Sequence, residues 1–377
     1  MSRSDPIADA LDAAVAGGVF PGAVLHVRLR GAPVYHRAAG NAALTPVREP
    51  ARLETIYDLA SLTKPLATAT ALLRLVQDGR VRVDDPVQRH VGELKGSAIG
   101  EATVYHLLTH SAGLPAWRPL YERITEEDRR TPGVMGGPAA DRLALALIMQ
   151  EPLSNPSGAR SVYSDLGFIL LGALVERVSG RSLAAYCRQA LFEPMGASLF
   201  FLGRRGAGSG SATALDAALI APTEDDPWRG RVLRGEVHDE NAHALGGAAG
   251  HAGLFGTASA VSTVVGHWLD GYMGRSRVLP SDLVKRFTAR QEGIAGSSWA
   301  MGWDTPSAPS SSGSRFSAAS FGHLGYTGTS IWVDPIKELE VVLLSNRVHP
   351  TRRNEAIKQF RPLIHDVIYE ELVASSR

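Results

Sequence analysis

Two hydrophobic periods alternate along the 377 residues of this chain. Near the N-terminus Leu25, Val27 and Leu29 alternate with His26, Arg28 and Arg30, then Gly31-Ala32-Pro33 turns the chain into a second extended run over 34–38. This predicts a β-hairpin, because a period of two places one face inward. Near the C-terminus, 321–325, 329–334 and 340–346 read as three more strands with turn residues between them. Between these groups the period lengthens. Leu66, Ala69, Thr70, Leu73 and Val76 form an apolar stripe at helical spacing that Gly79 closes. Further helices are predicted over 7–15, 104–110, 141–149, 166–178 and 183–192, and a terminal helix over 354–372 that Pro362 kinks or starts. Residues 118–137 are charged and interrupted by Pro and Gly, which predicts a solvated excursion, and 203–211 and 306–314 read as low-complexity loops.

Two strands from the start and three from the end, with helices between, predict one α+β unit: an antiparallel five-stranded sheet flanked by helices, plus a mostly helical subdomain. The α/β part is expected over approximately 1–58 and 256–377, and the helical part over approximately 59–255.

Composition narrows the function classes. Hydrophobic residues at 44% and charged residues at 20% describe an ordinary globular protein with a sizeable core. A formal net charge of +1 gives no electrostatic case for nucleic acid or an anionic membrane surface. The single cysteine, Cys187, excludes an intrachain disulfide, and no apolar run is long enough to span a membrane. The start, Met-Ser-Arg-Ser-Asp-Pro, has no apolar h-region, so a cytoplasmic location is expected, or a periplasmic one if a leader was removed.

The candidate chemistry lies at the mouth of the 66–77 helix, where Ser61-Leu62-Thr63-Lys64-Pro65 sets a hydroxyl and an amine three residues apart. Pro65 is tolerated in a first helical turn, so Ser61 falls at the helix start and Lys64 reaches back over it. A serine alcohol needs a neighbouring base, and a desolvated lysine can help supply one. The chain holds only five lysines beside 34 arginines, and this is its only Ser with Lys at i+3. Arginine cannot serve as a base, so a lysine inside an apolar helix draws attention to its titration. Tyr163-Ser164-Asp165 repeats the placement, polar groups at the mouth of a buried helix.

Other patterns carry less. His106 and His110 stand at i and i+4, but the Glu of H-E-x-x-H and a third ligand are missing, so no metal is expected. The glycine-rich stretch 235–256 lacks the strand and helix context of a phosphate loop and is read as close backbone packing beneath a site. His238, Asp239 and His251 within it are candidates for lining a cleft. No G-x-S-x-G is present, which opposes an α/β-hydrolase.

Ser61-Leu62-Thr63-Lys64, Tyr163-Ser164-Asp165 and His323-Leu324-Gly325, in that order, resemble the motifs of the serine β-lactamase and penicillin-binding-protein superfamily. Thr55 through Ser61, His106 through Leu114 and Gly322 through Gly328 extend the likeness over nearly the whole chain. It is closest to the class C branch, which includes DD-peptidases and family VIII carboxylesterases. The resemblance implies a β-lactamase/transpeptidase-like fold, no cofactor and a small-molecule or peptide substrate. It implies that Ser61 is acylated, that Lys64 and Tyr163 act together as its base with the phenol held partly as phenolate, and that the N–H groups of Ser61 and Tyr326 hold the oxyanion. Asp165, His323 and Gly325 would contact substrate. Two departures bear on that substrate. Asp165 stands where lactam-hydrolysing members have Asn, and an ionised carboxylate only accepts hydrogen bonds. His323 replaces the Lys of K-T-G, exchanging a fixed cation for a group that ordinarily titrates near pH ~6.5. An ester or D-amino-acid peptide is therefore favoured over a β-lactam. The alternatives are a family VIII-type carboxylesterase and, from another class, a slowly acylated binding or sensor protein. Oligomeric state is not legible.

Overall fold

A computed structural model describes residues 5–203 and 217–374. Residues 204–211 of the first low-complexity stretch therefore lie outside the described residues. The main sheet is antiparallel and is built from β1 (Gly22–Leu29), β2 (Ala32–Ala43), β3 (Glu49–Pro50), β4 (Phe321–Leu324), β5 (Ser330–Asp334) and β6 (Leu339–Ser345). Its order is β3-β2-β1-β6-β5-β4, so both ends of the chain meet in its centre, with Leu25 opposite Leu343 and Val27 opposite Val341. The sheet has six strands where five were expected. The sixth, β3, is two residues long and lies at the edge, too short for a period to reveal.

Helices cover both faces of the sheet. On one, Leu25, Val27, Val341 and Leu343 pack with Ile7 and Leu11 of the N-terminal helix (Pro6–Ala16) and Phe360 and Ile364 of the C-terminal helix (Ile357–Tyr369). On the other, Val24, Val342 and Leu344 join a larger core with the helix Ala258–Tyr272 and the central helices. The C-terminal helix runs through Pro362 rather than starting there.

Three expectations change. Residues 118–137 are not wholly a solvated excursion: Leu120–Arg130 is a helix, because Leu120 and Ile124 share a buried face. The helices Ala258–Tyr272 and Ser281–Thr288 were not anticipated. In the first, Gly266, Gly271 and β-branched Val261, Val264 and Val265 depress helix propensity, and burial overrides it. The 66–77 element begins differently: Lys64–Ala69 winds as a π-helix and only Thr70–Gln77 is α-helical. No helix among the described residues is long and apolar enough to cross a membrane.

A second sheet positions the chemistry. Tyr57–Asp58 and Phe200–Phe201 both pair with Leu254–Gly256, so the segment before Ser61 lies beside the end of the glycine-rich stretch.

One buried acid in β6 has a consequence for stability. Glu340 is fully buried beside the Ser262 hydroxyl, with Arg28 at 3.5 Å, and burial pushes its carboxyl up to about 7 against the lowering effects of Ser262 and Arg28. The folded state thus holds this proton more tightly than the unfolded chain. The stability it contributes is fully present below the unfolded value and is lost as pH rises through about 7. Glu340→Gln is expected to raise the melting temperature at pH 8 and to flatten its decline between pH 5 and 8, measured by thermal unfolding. An unchanged slope would remove Glu340 as its cause.

Candidate active site

Ser61 lies in a 3₁₀ turn, Ala60–Leu62, directly before the π-helix. Ala60 takes a left-handed φ of 47°, a strained conformation for a residue with a Cβ. Asp58 holds it there. One of its oxygens accepts the Ala60 N–H at 2.8 Å and the other accepts the His238 N–H at 2.7 Å. The buried carboxylate thus ties the Ser61 turn to a loop 180 residues onward.

Lys64 is buried and its ammonium has three partners. It lies 2.9 Å from Ser61 Oγ, 3.2 Å from the His251 carbonyl and 2.6 Å from Asp165 Oδ1. Burial alone would push the ammonium down, but Asp165 and then Tyr163 outweigh it and raise Lys64 above the ordinary lysine value. The lysine therefore rests as a cation within an ion pair.

Tyr163 completes this group, its ring centroid 4.8 Å from the Lys64 ammonium and its phenol under the influence of both Lys64 and Ser61. Burial raises the phenol, Lys64 lowers it and Asp165 raises it again, and the net direction is upward. The expectation of a partly ionised phenolate is corrected here: burial, with Asp165 adding to it, outweighs the lowering effect of Lys64. The ring packs on His110 at 4.6 Å and Trp299 at 5.2 Å between centroids.

His110 also holds the Tyr163 segment, because its Nδ1 accepts the Ser164 N–H at 3.0 Å. That acceptor role assigns the proton of the neutral ring to Nε2. Burial, then Lys64, push His110 well below the ordinary histidine value. His106 serves elsewhere, its Nδ1 accepting the Thr103 N–H in a capping box. The two histidines of the i, i+4 pair do different work, and among the described residues no group of three His, Cys, Asp or Glu could hold a metal.

His323 is likewise neutral. Its Nδ1–H donates to the Leu324 carbonyl at 2.8 Å, while burial and then Lys64 push it down to about 3. The expectation of a group titrating near neutrality is corrected, since a buried ring beside an ammonium does not accept a proton at physiological pH. The cleft has no switchable cation at this position.

The turn after His323 is fastened to the segment that precedes Ser61. Thr327 Oγ1 donates to the Asp58 carbonyl at 2.7 Å and Thr329 Oγ1 to the Leu59 carbonyl at 3.1 Å. Gly325 allows this approach, for a Cβ there would lie 1.9 Å from Thr329 Oγ1 and 2.7 Å from the Leu59 carbonyl. Two hydroxyls thus set the Ser61 and Tyr326 amides in one rigid frame. Among the described residues the Tyr326 N–H meets no acceptor. Its ring is 50% exposed, stacked on His238 on one side and under Arg347, 4.4 Å from the guanidinium carbon, on the other.

These residues border a cleft of about 650 Å³. Ser61, Tyr163, Asp165, His323, Gly325 and Tyr326 line it, and Lys64 lies behind Ser61. Of the three further candidates, His238 and Asp239 line the cleft. His251 lies beneath it, with Nε2 2.8 Å from Asp239. Burial would raise the Asp239 carboxyl, but His251 and then Lys64 outweigh it and hold it low. The sequence reading missed Asp58, His110, Thr327 and Thr329 as supports. Asp58, His110 and Thr327 stand inside the motif stretches and Thr329 directly follows Gly328, so motif position was the available signal.

The family model described as Beta-lactamase matches residues 7–364. A protein of Escherichia coli K12 named as a candidate D-alanyl-D-alanine carboxypeptidase is 30% identical over 310 residues, covering 78% of this chain and 70% of that one. A Salmonella typhimurium protein of the same name is 29% identical over 327 residues, covering 83% and 73%. Among solved structures, EstCE1, described as a hydrolase with promiscuous acyltransferase activity, superposes with a TM-score of 0.73 at 21% identity, covering 96% of this chain and 97% of that one. An octameric penicillin-binding protein homologue from Pyrococcus abyssi does so with a TM-score of 0.69 at 22% identity, covering 95% and 77%. The fold is β-lactamase/transpeptidase-like, and the chain belongs to the Beta-lactamase family of hydrolases.

Proposed function

We propose that this protein is a serine hydrolase that forms an acyl-serine intermediate on an ester or a D-amino-acid peptide, with β-lactams poor substrates. The observation that carries the reading is Lys64, buried and 2.9 Å from Ser61 Oγ, with the Tyr163 ring 4.8 Å from its ammonium. Ser61 Oγ attacks the carbonyl carbon and its proton passes to the Tyr163 and Lys64 pair. The amides of Ser61 and Tyr326 take the developing oxyanion, each such donor contributing about 3 kcal/mol to the transition state. The tetrahedral adduct expels the alcohol or amine, which recovers the proton, and water then reverses the sequence to release the acid and free Ser61. The base must lose one proton before it can act. The raised Lys64 and Tyr163 therefore give an activity that climbs toward alkaline pH.

Substrate preference rests on His323 and Asp165. A neutral His323 and an Asp165 engaged with Lys64 leave neither the cation nor the amide donor that the family's lactam-hydrolysing pattern supplies. A panel of a chromogenic cephalosporin, a D-Ala-D-Ala peptide and short-chain nitrophenyl esters tests the reading. Sustained ester or peptide turnover is expected, with cephalosporin turnover at least about tenfold slower in kcat/KM, a modest differential-binding effect. Rapid cephalosporin hydrolysis would overturn the preference. A stoichiometric burst without turnover would favour a sensor.

A further inference from the structure

Arg361 lies in the C-terminal helix, borders the cleft and is buried at 6% exposure, yet among the described residues no carboxylate is within ion-pair distance of it. Its Nη2 donates to the Gly325 carbonyl at 3.0 Å and to the Thr329 carbonyl at 2.8 Å, and its Nε has no partner among the described residues. Burial, then the neighbouring Arg347, push the guanidinium down to about 9. An unpaired buried cation is costly and needs a reason.

Backbone satisfaction does not supply it. The Gly325 carbonyl already accepts the Gly328 N–H at 3.1 Å, and the Thr329 carbonyl accepts the Gly325 N–H at 2.7 Å. Both acceptors would remain bonded without the arginine. The Gly325 carbonyl, however, belongs to the same peptide unit as the Tyr326 N–H, the amide assigned to the oxyanion. A cationic donor on that oxygen draws electron density through the amide resonance and makes the N–H a stronger donor, as hydrogen-bonded chains polarise one another. Arg347 Nε donates at 2.9 Å to the Tyr326 carbonyl, which belongs to the next amide, so the resonance effect on the Tyr326 N–H comes from Arg361.

We infer that Arg361 is a positioning and polarising residue for the oxyanion hole, acting through the Gly325–Tyr326 peptide and lending uncompensated positive charge to the developing oxyanion. The inference rests on the acyl-serine reading, and the experiment separates the two.

The acylation rate with a nitrophenyl ester, the affinity for a boronic acid that forms a tetrahedral adduct on Ser61, and the infrared carbonyl band of a slowly hydrolysed acyl-enzyme are measured for the parent, Arg361→Met, Arg361→Gln and Arg361→Lys. The Met and Gln variants are expected to lose about tenfold in acylation and in boronate affinity together, less than for deletion of a direct donor. The ground-state dissociation constant should stay within about twofold, because the polarised peptide discriminates for developing charge. Their acyl carbonyl band should move to higher wavenumber, and Arg361→Lys should recover part of each loss. A band and a boronate affinity that do not move overturn the inference, as does a lysine variant no better than methionine. Should Arg361→Met fail to fold, the Gln and Lys variants carry the comparison. If the parent forms no acyl-enzyme, the catalytic reading fails, and this inference with it.

Discussion

Ser61→Ala is expected to reduce ester and peptide turnover by roughly 10⁵-fold, the scale seen when a serine nucleophile is removed from a machinery that works as a unit. The hydroxyl receives the Lys64 ammonium at 2.9 Å and contacts the Tyr163 phenol, so no neighbouring group can replace it. The variant should remain folded, because Ser61 is only partly buried and its turn is held by Asp58 and the Thr327 and Thr329 hydroxyls. A fluorophosphonate probe provides the check: it should label the parent at Ser61 and leave the variant unlabelled, as read by mass spectrometry. Labelling elsewhere, or an alanine variant that keeps a tenth of the parent's rate, would refute the assignment of the nucleophile.

Asp165→Asn is expected to move the rising limb of kcat/KM to lower pH by about one to two units, the size of shift an adjacent opposite charge produces. In the parent, the carboxylate 2.6 Å from Lys64 raises both Lys64 and Tyr163. Both shifts hold the proton that the base must lose. Without the carboxylate the ammonium loses its partner and the phenol loses a repelling neighbour, so the deprotonated, active form appears at lower pH. On the acid side of the limb, the variant should therefore exceed the parent by about ten- to a hundredfold, one decade per pH unit. The same change leaves a buried ammonium without its anion and should cost about 3 kcal/mol of stability near neutral pH, read as a lower melting temperature. An unmoved limb would mean that Asp165 does not govern the base.

On these expectations the Lys64–Asp165 pair stabilises the resting protein at the expense of activity near neutrality, a compromise that Asn at this position would shift toward activity. Neutral His323 adds no positive charge beside Lys64, so the charge next to Ser61 Oγ is that of the Lys64 ammonium, which Asp165 governs.

How far the chain could be read before it was folded follows from the range of each interaction. Ser61 and Lys64 were legible together because three residues on one helical turn meet whatever surrounds them, and the 2.9 Å contact needs no distant partner. The strand runs at the two ends and the helical periods between them determined the α+β architecture, since burial of one face imposes its spacing on the residues that form it. The charge balance and the single cysteine confined the chemistry in the same direct way. What the tertiary structure decided involves residues far apart and the loss of water around them. Asp165 as the counter-ion of Lys64, His110 parting from His106 to support Tyr163, and the threonines that bind the 325–329 turn to Asp58 and Leu59 across some 270 residues have no local period to announce them. Protonation was settled there too. His323 and Tyr163 carry ordinary titration values as free side chains, and only burial beside Lys64 and Asp165 makes one a neutral imidazole and the other a reluctant acid. Arg361 is the extreme case, an unremarkable basic residue in an amphipathic helix until the fold buries it, with no carboxylate partner among the described residues, against the Gly325–Tyr326 peptide.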